Sequence, residues 1–282
     1  MTVPRIHHYI PQFYLDNWTG SDGQLVVYRL GQPFREPFRC APKNVCAERD
    51  LYANRALQAH TIEAQSTESK FFADIDDRAA NALNFLLNRK PLEPQVRDDW
   101  ARFLMSLFHR QPMEVGSLRA KARLEWQSIV AGTHRDAPQQ HMQTVTLYRD
   151  DFTRSFAYDA EDLALKTLES VVDSERIGNV LVKMNWSLYT LAKHAPSFLT
   201  ADIPTIKTEG LMQETSSVLL PVSPRHLFIA CASERALGGL DKLAPKEVAT
   251  MVNTDVIAHA RQYIIANDAS QTRFIQNRWP QP

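Results

Sequence analysis

Residues 7–15 read HHYIPQFYL, and after the turn cluster SDG at residues 21–23 the chain continues with QLVVYRL at residues 24–30. The second segment is rich in β-formers and follows turn residues, which predicts a strand. Pro33 and Pro37 bracket the short extended run that comes next. Such a run is typical of an edge strand, because proline donates no backbone hydrogen bond. The sequence up to residue 58 is therefore predicted to form a small β-rich layer.

The middle of the chain, residues 61–178, is predicted to be helical. Apolar side chains recur at three- and four-residue intervals over residues 61–88, which places them on one stripe of a helix. A second helix begins near Pro94, and Pro112 must end or kink it because proline removes an internal hydrogen bond. A continuing helix over residues 113–130 is predicted to turn four side chains inward, namely Leu118, Ala122, Trp126 and Ile129.

The polar segment GTHRDAPQQHMQ at residues 132–143 contains Gly and Pro, which predicts an exposed loop and not a domain boundary. A further helix is expected over residues 160–176, closed by Gly178, because a left-handed cap costs glycine least. From Val180 to Leu188 apolar residues alternate with mostly polar ones, which predicts a strand.

The last hundred residues, from residue 180 to 282, are predicted to combine further strands with one helix. Pro245 opens that helix, which is expected to run to about Ala266. Strands at both ends of the chain with helices between them indicate an α+β fold. We therefore expect one domain with small antiparallel sheet elements from both ends packed on a central group of long helices. The three short apolar segments predicted as strands are residues 197–201, 217–222 and 226–231.

Composition excludes several classes of protein. Thirty-two basic and 32 acidic residues give a formal net charge of zero, so nucleic acid would bind only through a local patch. No segment approaches the apolar length of a membrane helix, and the start does not resemble a secretory signal, so we expect a cytoplasmic protein. The three cysteines favour reduced thiols, and Cys40 and Cys46 are spaced too widely for a zinc-binding pair.

The opening segment HHYIPQFYL, followed by the strand-like LVVYRL, resembles the start of a bacterial family known as domain of unknown function 4238. The N-terminus of that family typically reads His-His-Tyr-Val-Pro-Gln-Phe-Tyr-Leu. Shorter matches lie further along the chain, so the resemblance spans nearly all of it. They are Ile62-Glu63 with Glu68, the corner Arg110-Gln111-Pro112, FLTADIP at residues 198–204 and LLPVSPRHLFI at residues 219–229.

The sequence departs from the family pattern beside Asp202, where Ala201 and Ile203 replace a small hydroxyl residue and an amide. This departure puts in doubt a site that uses all three polar groups. The family label carries no biochemical activity. The resemblance therefore implies a fold neighbourhood and a set of segments to examine, and it assigns no reaction.

His7 and His8 invite a metal-binding or acid–base hypothesis, because imidazole titrates near neutral pH and binds divalent transition metals. Successive side chains of an extended segment point to opposite faces, so only one of the two readily faces a given site. The alternative is that one ring is hydrogen-bonded and anchors the N-terminal segment. Gln12 is a candidate substrate-contacting amide.

Four charged residues complete the candidate set. Glu63 and Glu68 lie about 140° apart on the predicted helix, so they do not form a metal cage by themselves, and each is alternatively a cap or a solvated charge. Arg110 is either a favourable charge at a helix C-terminus or an anion clamp. Asp202 is either the acceptor of an Asx turn before Pro204 or a carboxylate ligand.

Two functional hypotheses follow. The first is a hydrolase-like site, nuclease-like in one form, that acts on a phosphate-containing substrate, a nucleic acid or nucleotide. It uses His7 or His8 as base or ligand, Glu63 or Glu68 with Asp202 as carboxylates, and a divalent metal as the cofactor it allows. Arg110 and Gln12 bind the substrate. The second is a non-catalytic binding or assembly module in which HHYIPQFYL is a structural clip. The phosphate-loop, dinucleotide, nucleophile-elbow and HExxH motifs are all absent.

Overall fold

The computed structural model describes residues 3–31, 36–135, 149–233 and 239–279 of the chain. These residues form helices and small antiparallel sheets, so the predicted α+β class is confirmed. The helices, in chain order, are α1 Gln12–Leu15, α2 Ala73–Leu87, α3 Pro94–His109, α4 Pro112–Arg135, α5 Arg149–Val172, α6 Glu175–Lys183, α7 Pro245–His259 and α8 Thr272–Gln276. A π-helix, Thr67–Phe72, precedes α2, and short 3-10 turns lie at Asp16–Trp18, Pro42–Asn44 and Leu240–Lys242.

Three antiparallel sheets contain the strands. The strands are β1 Ile6–His8, β2 Leu25–Arg29, β3 Phe38–Cys40, β4 Ala47–Arg49, β5 Asn185–Thr190, β6 Thr200–Ala201, β7 Ile206–Lys207, β8 Ser217–Ser223, β9 His226–Cys231 and β10 Tyr263–Ala266. β1 pairs with β4. The second sheet has the order β3-β2-β10-β6, and the third has the order β5-β9-β8-β7.

The chain divides into two compact units, each built from separate stretches of sequence. The first unit contains residues 1–7, 48–74 and 109–173, and α4 packs against α5 within it. The second unit contains residues 8–47, 75–108 and 174–282 and holds both four-stranded sheets.

The core of the second unit lies between its sheets and α7. Val248, Val252 and Val256 recur at four-residue spacing on α7 and are fully buried, which gives this helix one continuous apolar face. Asn253, on the same helix, accepts the backbone N–H of Leu199 and donates to the carbonyl of Ser197. A buried amide thus holds the entry to β6 against the helix without an unsatisfied polar group.

The predicted helix over residues 61–88 begins later than its apolar stripe suggested. Residues 61–65 form turns, and the regular α-helix starts only at Ala73. The buried Gln65 side chain explains the turns, because it donates to Asp50 and to the carbonyl of Ala59 and thereby holds this segment in a compact loop. The break between the next two helices is confirmed. α3 ends at His109, and Pro112 opens α4 at its first turn.

Two helix boundaries near residue 178 were predicted wrongly. Gly178 lies inside α6 and is not a cap, and residues 180–183 are helical where a strand was predicted. Val180, Val182 and Met184 fit an alternating period, but Ile177, Val180, Leu181 and Met184 fit a helical one, and the strand β5 begins only at Asn185.

The last predicted helix is too long. α7 ends at His259, and Tyr263–Ala266 form β10, which pairs with β2 on one side and β6 on the other. A central strand is buried on both faces and therefore shows no alternation that distinguishes it from a helix. The strand predicted over residues 197–201 is reduced to Thr200–Ala201. Strands close to the predicted ones form at Leu25–Arg29, Ser217–Ser223 and His226–Cys231.

The remaining predictions concern α4 and the segment after it. Residues 132–135 of the predicted loop are helical, and residues 136–143 lie outside the described residues. Leu118, Ala122 and Trp126 are buried or half-buried as predicted, while the side chain of Ile129 lies outside the described set. No helix in the described part of the chain is long and apolar enough to cross a membrane.

Candidate functional site

The predicted site residues fall into both compact units. His7, Glu63, Glu68 and Arg110 belong to the first unit, and His8, Gln12 and Asp202 belong to the second.

His7 is fully buried in β1. Its Nδ1 accepts the backbone N–H of Tyr52 at 2.9 Å, and its ring lies parallel to the Tyr52 ring with a centroid separation of 5.6 Å. Because Nδ1 uses its lone pair as an acceptor, the neutral ring carries its proton on Nε2. Burial lowers the pKa of His7, so the ring is neutral at pH 7. In this state His7 is a hydrogen-bond donor through Nε2.

Gln65 lies beside His7 and is fixed in one orientation. Its Nε2 donates to Asp50 Oδ1 at 2.9 Å and to the carbonyl of Ala59, and both partners only accept. Its Oε1 is buried and has no hydrogen-bond partner of normal geometry among the described residues, and the same holds for His7 Nε2. The Pro4 backbone and the Gln65 side chain nevertheless lie near enough to His7 to oppose the lowering of its pKa. Two buried polar atoms, a donor and an acceptor, thus occupy one small region.

Asp50 anchors the outer end of this group. It has a left-handed backbone with φ of 55°, and its carboxylate accepts hydrogen bonds from both Arg5 and Gln65. The Arg5 hydrogen bond is the main reason that the pKa of Asp50 falls to about 2. A charged carboxylate is therefore held in place at the surface end of the group over the whole neutral range.

Tyr52 links His7 to Arg110. The Tyr52 hydroxyl donates to the carbonyl of Arg110 at 2.6 Å, and the Tyr52 ring contacts Phe72 with centroids 4.5 Å apart. The Arg110 guanidinium lies 4.5 Å from the centroid of the Phe72 ring and is fully buried. His7 and Arg110 are thus brought to one aromatic pair. In this conformation the Arg110 side chain is closed to solvent.

The two glutamates have different environments. Glu63 is exposed in the turn before the π-helix, and Glu68 lies half-buried within that helix. The prediction that both belong to one helix is therefore wrong, because the hydrogen bonds of Gln65 hold residues 61–65 in turns. π-helical turns often occur at functional positions, which keeps Glu68 of interest.

A buried ion pair that the sequence reasoning missed holds the Tyr52 segment. Arg119 Nε donates to Glu161 at 2.8 Å, and its two terminal nitrogens donate to the carbonyls of Leu51 and Ala53 at 2.9 and 2.8 Å. Burial lowers the pKa of Arg119, against the opposing charge of Glu161. A signal was present in the sequence, because Arg119 sits on the inward stripe of α4 between Val115 and Ala122.

In the second unit His8 pairs with Gln12. His8 Nε2 lies 3.1 Å from the carbonyl of Lys43, which can only accept, so Nε2 carries the proton. Its Nδ1 faces the Gln12 amide nitrogen at 3.5 Å. Both histidines of the opening segment are therefore hydrogen-bonded to backbone groups, His7 as an acceptor and His8 as a donor.

Tyr14 joins three of the segments that carry the resemblance. Its hydroxyl donates to the carbonyl of Pro221 at 2.6 Å and lies 2.7 Å from Thr200 Oγ1. Since the phenol proton is used on Pro221, Thr200 is the donor to Tyr14. Burial raises the pKa of Tyr14, which therefore stays protonated. HHYIPQFYL, FLTADIP and LLPVSPRHLFI meet at this one hydroxyl.

Asp202 is buried, and its carboxylate forms hydrogen bonds with residues about sixty positions later in the sequence. Its two carboxylate oxygens accept the backbone N–H groups of Arg261 at 3.0 Å and Gln262 at 2.7 Å. Burial raises the pKa of Asp202, and these backbone donors oppose that rise. The two N–H groups belong to the connection between α7 and β10, so the carboxylate closes this connection. A local Asx turn before Pro204 is not its role.

No group of three or more His, Cys, Asp or Glu side chains is arranged to hold a metal ion within the described residues. The geometry of His7 agrees with this, because its Nδ1 is engaged and its Nε2 carries a proton.

Comparison with known proteins gives one match. A family model described as protein of unknown function (DUF4238) matches residues 6–270. A search of curated proteins and a search of solved structures each returned no match.

Proposed function

The chain belongs to the DUF4238 family of proteins of unknown function, and from that premise we propose that it is a non-catalytic binding or assembly module. Residues 7–15 act in it as a structural clip. The observation that supports this proposal is the environment of His7, which is fully buried, stacked on Tyr52 and hydrogen-bonded through Nδ1 to the Tyr52 backbone. A histidine with this environment orders a segment of chain and does not need a substrate to explain it.

The rest of the clip supports the same role. His8 donates to the Lys43 carbonyl, Tyr9 N–H donates to the Cys46 carbonyl, and Tyr14 donates to the Pro221 carbonyl. Each of these bonds joins the clip to backbone more than 30 residues away in sequence. Hydrogen bonds of this kind fix the direction of the chain, and at Tyr14 and at His8 Nε2 the proton is used to hold a backbone carbonyl.

A phosphate-directed hydrolase is the second candidate, and one observation favours it. His7 Nε2, Gln65 Oε1 and Gln111 Nε2 are buried polar atoms with no hydrogen-bond partner of normal geometry among the described residues, although Pro4 and Gln65 lie close to His7. All three atoms belong to the first unit. Buried polar atoms without partners are uncommon in native proteins and call for an explanation such as a bound group or water. In this reading His7 donates a hydrogen bond to a substrate oxygen and is not a base.

Two variants of His7 separate the candidates. His7→Ala removes both ring nitrogens, whereas His7→Asn keeps an amide oxygen where Nδ1 accepts the Tyr52 N–H and lacks the Nε2 donor. For a clip we expect His7→Ala to lose about 2 kcal/mol or more of unfolding free energy, because the Tyr52 N–H is left buried without an acceptor. We expect His7→Asn to lose less than about 1 kcal/mol.

The same two proteins are assayed for hydrolysis of a phosphomonoester and of single-stranded RNA and DNA, with and without Mg²⁺ or Mn²⁺. The clip proposal expects no hydrolysis above buffer for the wild-type chain. A wild-type activity that His7→Asn abolishes while its stability is kept would overturn the clip proposal and support the hydrolase.

A further inference from the structure

Helix α4 carries a second apolar face that points to solvent. Val115, Arg119 and Ala122 form its buried face, yet Met113 and Leu124 are large apolar side chains with exposed fractions of 58% and 67%. They lie eleven residues apart, which is three turns plus about 20° on an α-helix, so they share one line along the surface. This face therefore lies opposite the buried one.

The exposed face follows the spacing of a coiled-coil seam. Met113, Ser117, Ala120 and Leu124 succeed one another at intervals of four, three and four residues, and all four are exposed. Intervals of this kind place side chains at the contact positions of two packed helices. The small residues in the middle of the seam allow close approach of a second helix, and the large residues at its ends supply apolar area.

The flanking charges select the partner and its direction. Glu114 and Lys121 are exposed on the same side of the seam, in equivalent positions one heptad apart. When two copies of α4 pack antiparallel, Met113 of each meets Leu124 of the other, and Ser117 meets Ala120. Glu114 of each copy then lies opposite Lys121 of the other. A parallel pair would instead set Lys121 opposite Gly116 and leave both charges without a partner.

We propose that this face of α4 is a self-association surface whose partner is a second copy of the chain, packed antiparallel about a two-fold axis near residues 118–119. The inference deepens the assembly role proposed above, on which it rests, and names its partner. The seam spans only about 17 Å, so the contact is smaller than a standard interface, and we expect a weak dimer with a dissociation constant on the order of 0.1 mM.

The test is sedimentation equilibrium of the full chain from about 10 µM to about 500 µM, a range that brackets the expected constant. The average mass is expected to rise from that of the 32.2 kDa monomer towards twice that value. Leu124→Glu should raise the dissociation constant at least about tenfold, because a buried charge replaces an apolar contact. Met212→Glu is the matched control, since Met212 is 64% exposed in the second unit, and it should change nothing.

Charge reversal tests the direction of packing. Glu114→Lys and Lys121→Glu should each weaken the dimer, and the double variant should restore it. Circular dichroism confirms that each variant is folded. A wild-type chain that stays monomeric at every concentration, or a double variant that is no better than the single ones, would overturn the proposal. Either result is independent of the stability difference between the two His7 variants, so failure here and failure of the clip are distinguishable.

Discussion

Asp50 combines a backbone requirement with an electrostatic one. Its left-handed φ of 55° is a conformation that Asp and Asn adopt more readily than most residues. Its carboxylate accepts hydrogen bonds from Arg5 and from Gln65. The residue that tolerates the backbone is therefore also the one that orients Gln65, whose amide lies beside His7.

Two substitutions separate these requirements at Asp50. Asp50→Asn keeps a side chain suited to a left-handed backbone and loses the charge, and we expect it to cost about 1 kcal/mol because the ion pair is partly exposed. Asp50→Ala also strains the backbone and should cost about 1 kcal/mol more. Urea unfolding at pH 7 measures both. Equal losses in the two variants would contradict a backbone contribution.

The sequence identified some of these residues and missed others for a physical reason. Local sequence marks both His7 and Arg110. His7 opens the segment HHYIPQFYL, and Arg110 lies two residues before Pro112, which breaks the helix. Gln65 carries no charge and lies in a polar turn, so nothing in its neighbours marks it as buried. Its burial depends on hydrogen bonds to Asp50 and Ala59, which only the folded chain brings together.

Helix α4 is held in the first unit by hydrogen bonds as well as by apolar packing. Its inward stripe contains Arg119, a charge at a position where an apolar side chain is expected. That guanidinium is satisfied by Glu161 and by the carbonyls of Leu51 and Ala53. The helix therefore fixes the segment on either side of Tyr52 by hydrogen bonds, in addition to packing against α5.

Removing Arg119 should be costly. Arg119→Ala leaves Glu161 buried without its main partner, and breaking such a pair typically costs about 3–5 kcal/mol. Arg123→Ala is the matched control, because Arg123 approaches the same carboxylate at 3.3 Å but is 58% exposed. We expect it to cost no more than about 1 kcal/mol. Thermal or urea unfolding of both variants checks the difference, and similar losses would contradict it.

Periodicity predicted helices better than their ends. The break between α3 and α4 was predictable because Pro112 acts locally, whereas the ends of α6 and α7 were not. The residues before β5 fit both helical and alternating patterns. The end of α7 is closed by Asp202, which lies more than fifty residues earlier in the sequence, so no local signal marks it.

Across the whole molecule the segments that carry the family resemblance form two groups of tertiary bonds. In the second unit three of them meet at the Tyr14 hydroxyl. In the first unit His7 and Arg110 meet at the Tyr52–Phe72 pair. Segments distant in sequence thus share one role in each unit, which is to join elements that hydrophobic packing alone would leave free to shift.

The titratable groups of both units predict how the whole chain responds to acid. The pKa of His7 is lowered in the folded state, so below about pH 6.5 the unfolded chain binds more protons and stability falls. The pKa of His226 is also lowered by burial and acts in the same direction. The contribution of Asp50 to stability is lost only as the pH falls from 3.8 to about 2. Asp202 has a raised pKa, so its protonation in the folded state stabilises the chain as the pH falls.

Urea midpoints at pH 7.5 and pH 5.5 test the histidines, because Asp50 does not titrate in that window and protonation of Asp202, whose pKa is raised, acts in the opposite direction. We expect the wild-type midpoint to fall on acidification. We expect a smaller fall for His7→Asn, since this variant keeps the acceptor for the Tyr52 N–H but has no group that protonates. The decrease in midpoint that remains in the variant includes the contribution of His226, whose pKa is also lowered. If the variant loses as much stability as the wild-type chain between these two pH values, His7 is not held neutral by its burial against Tyr52.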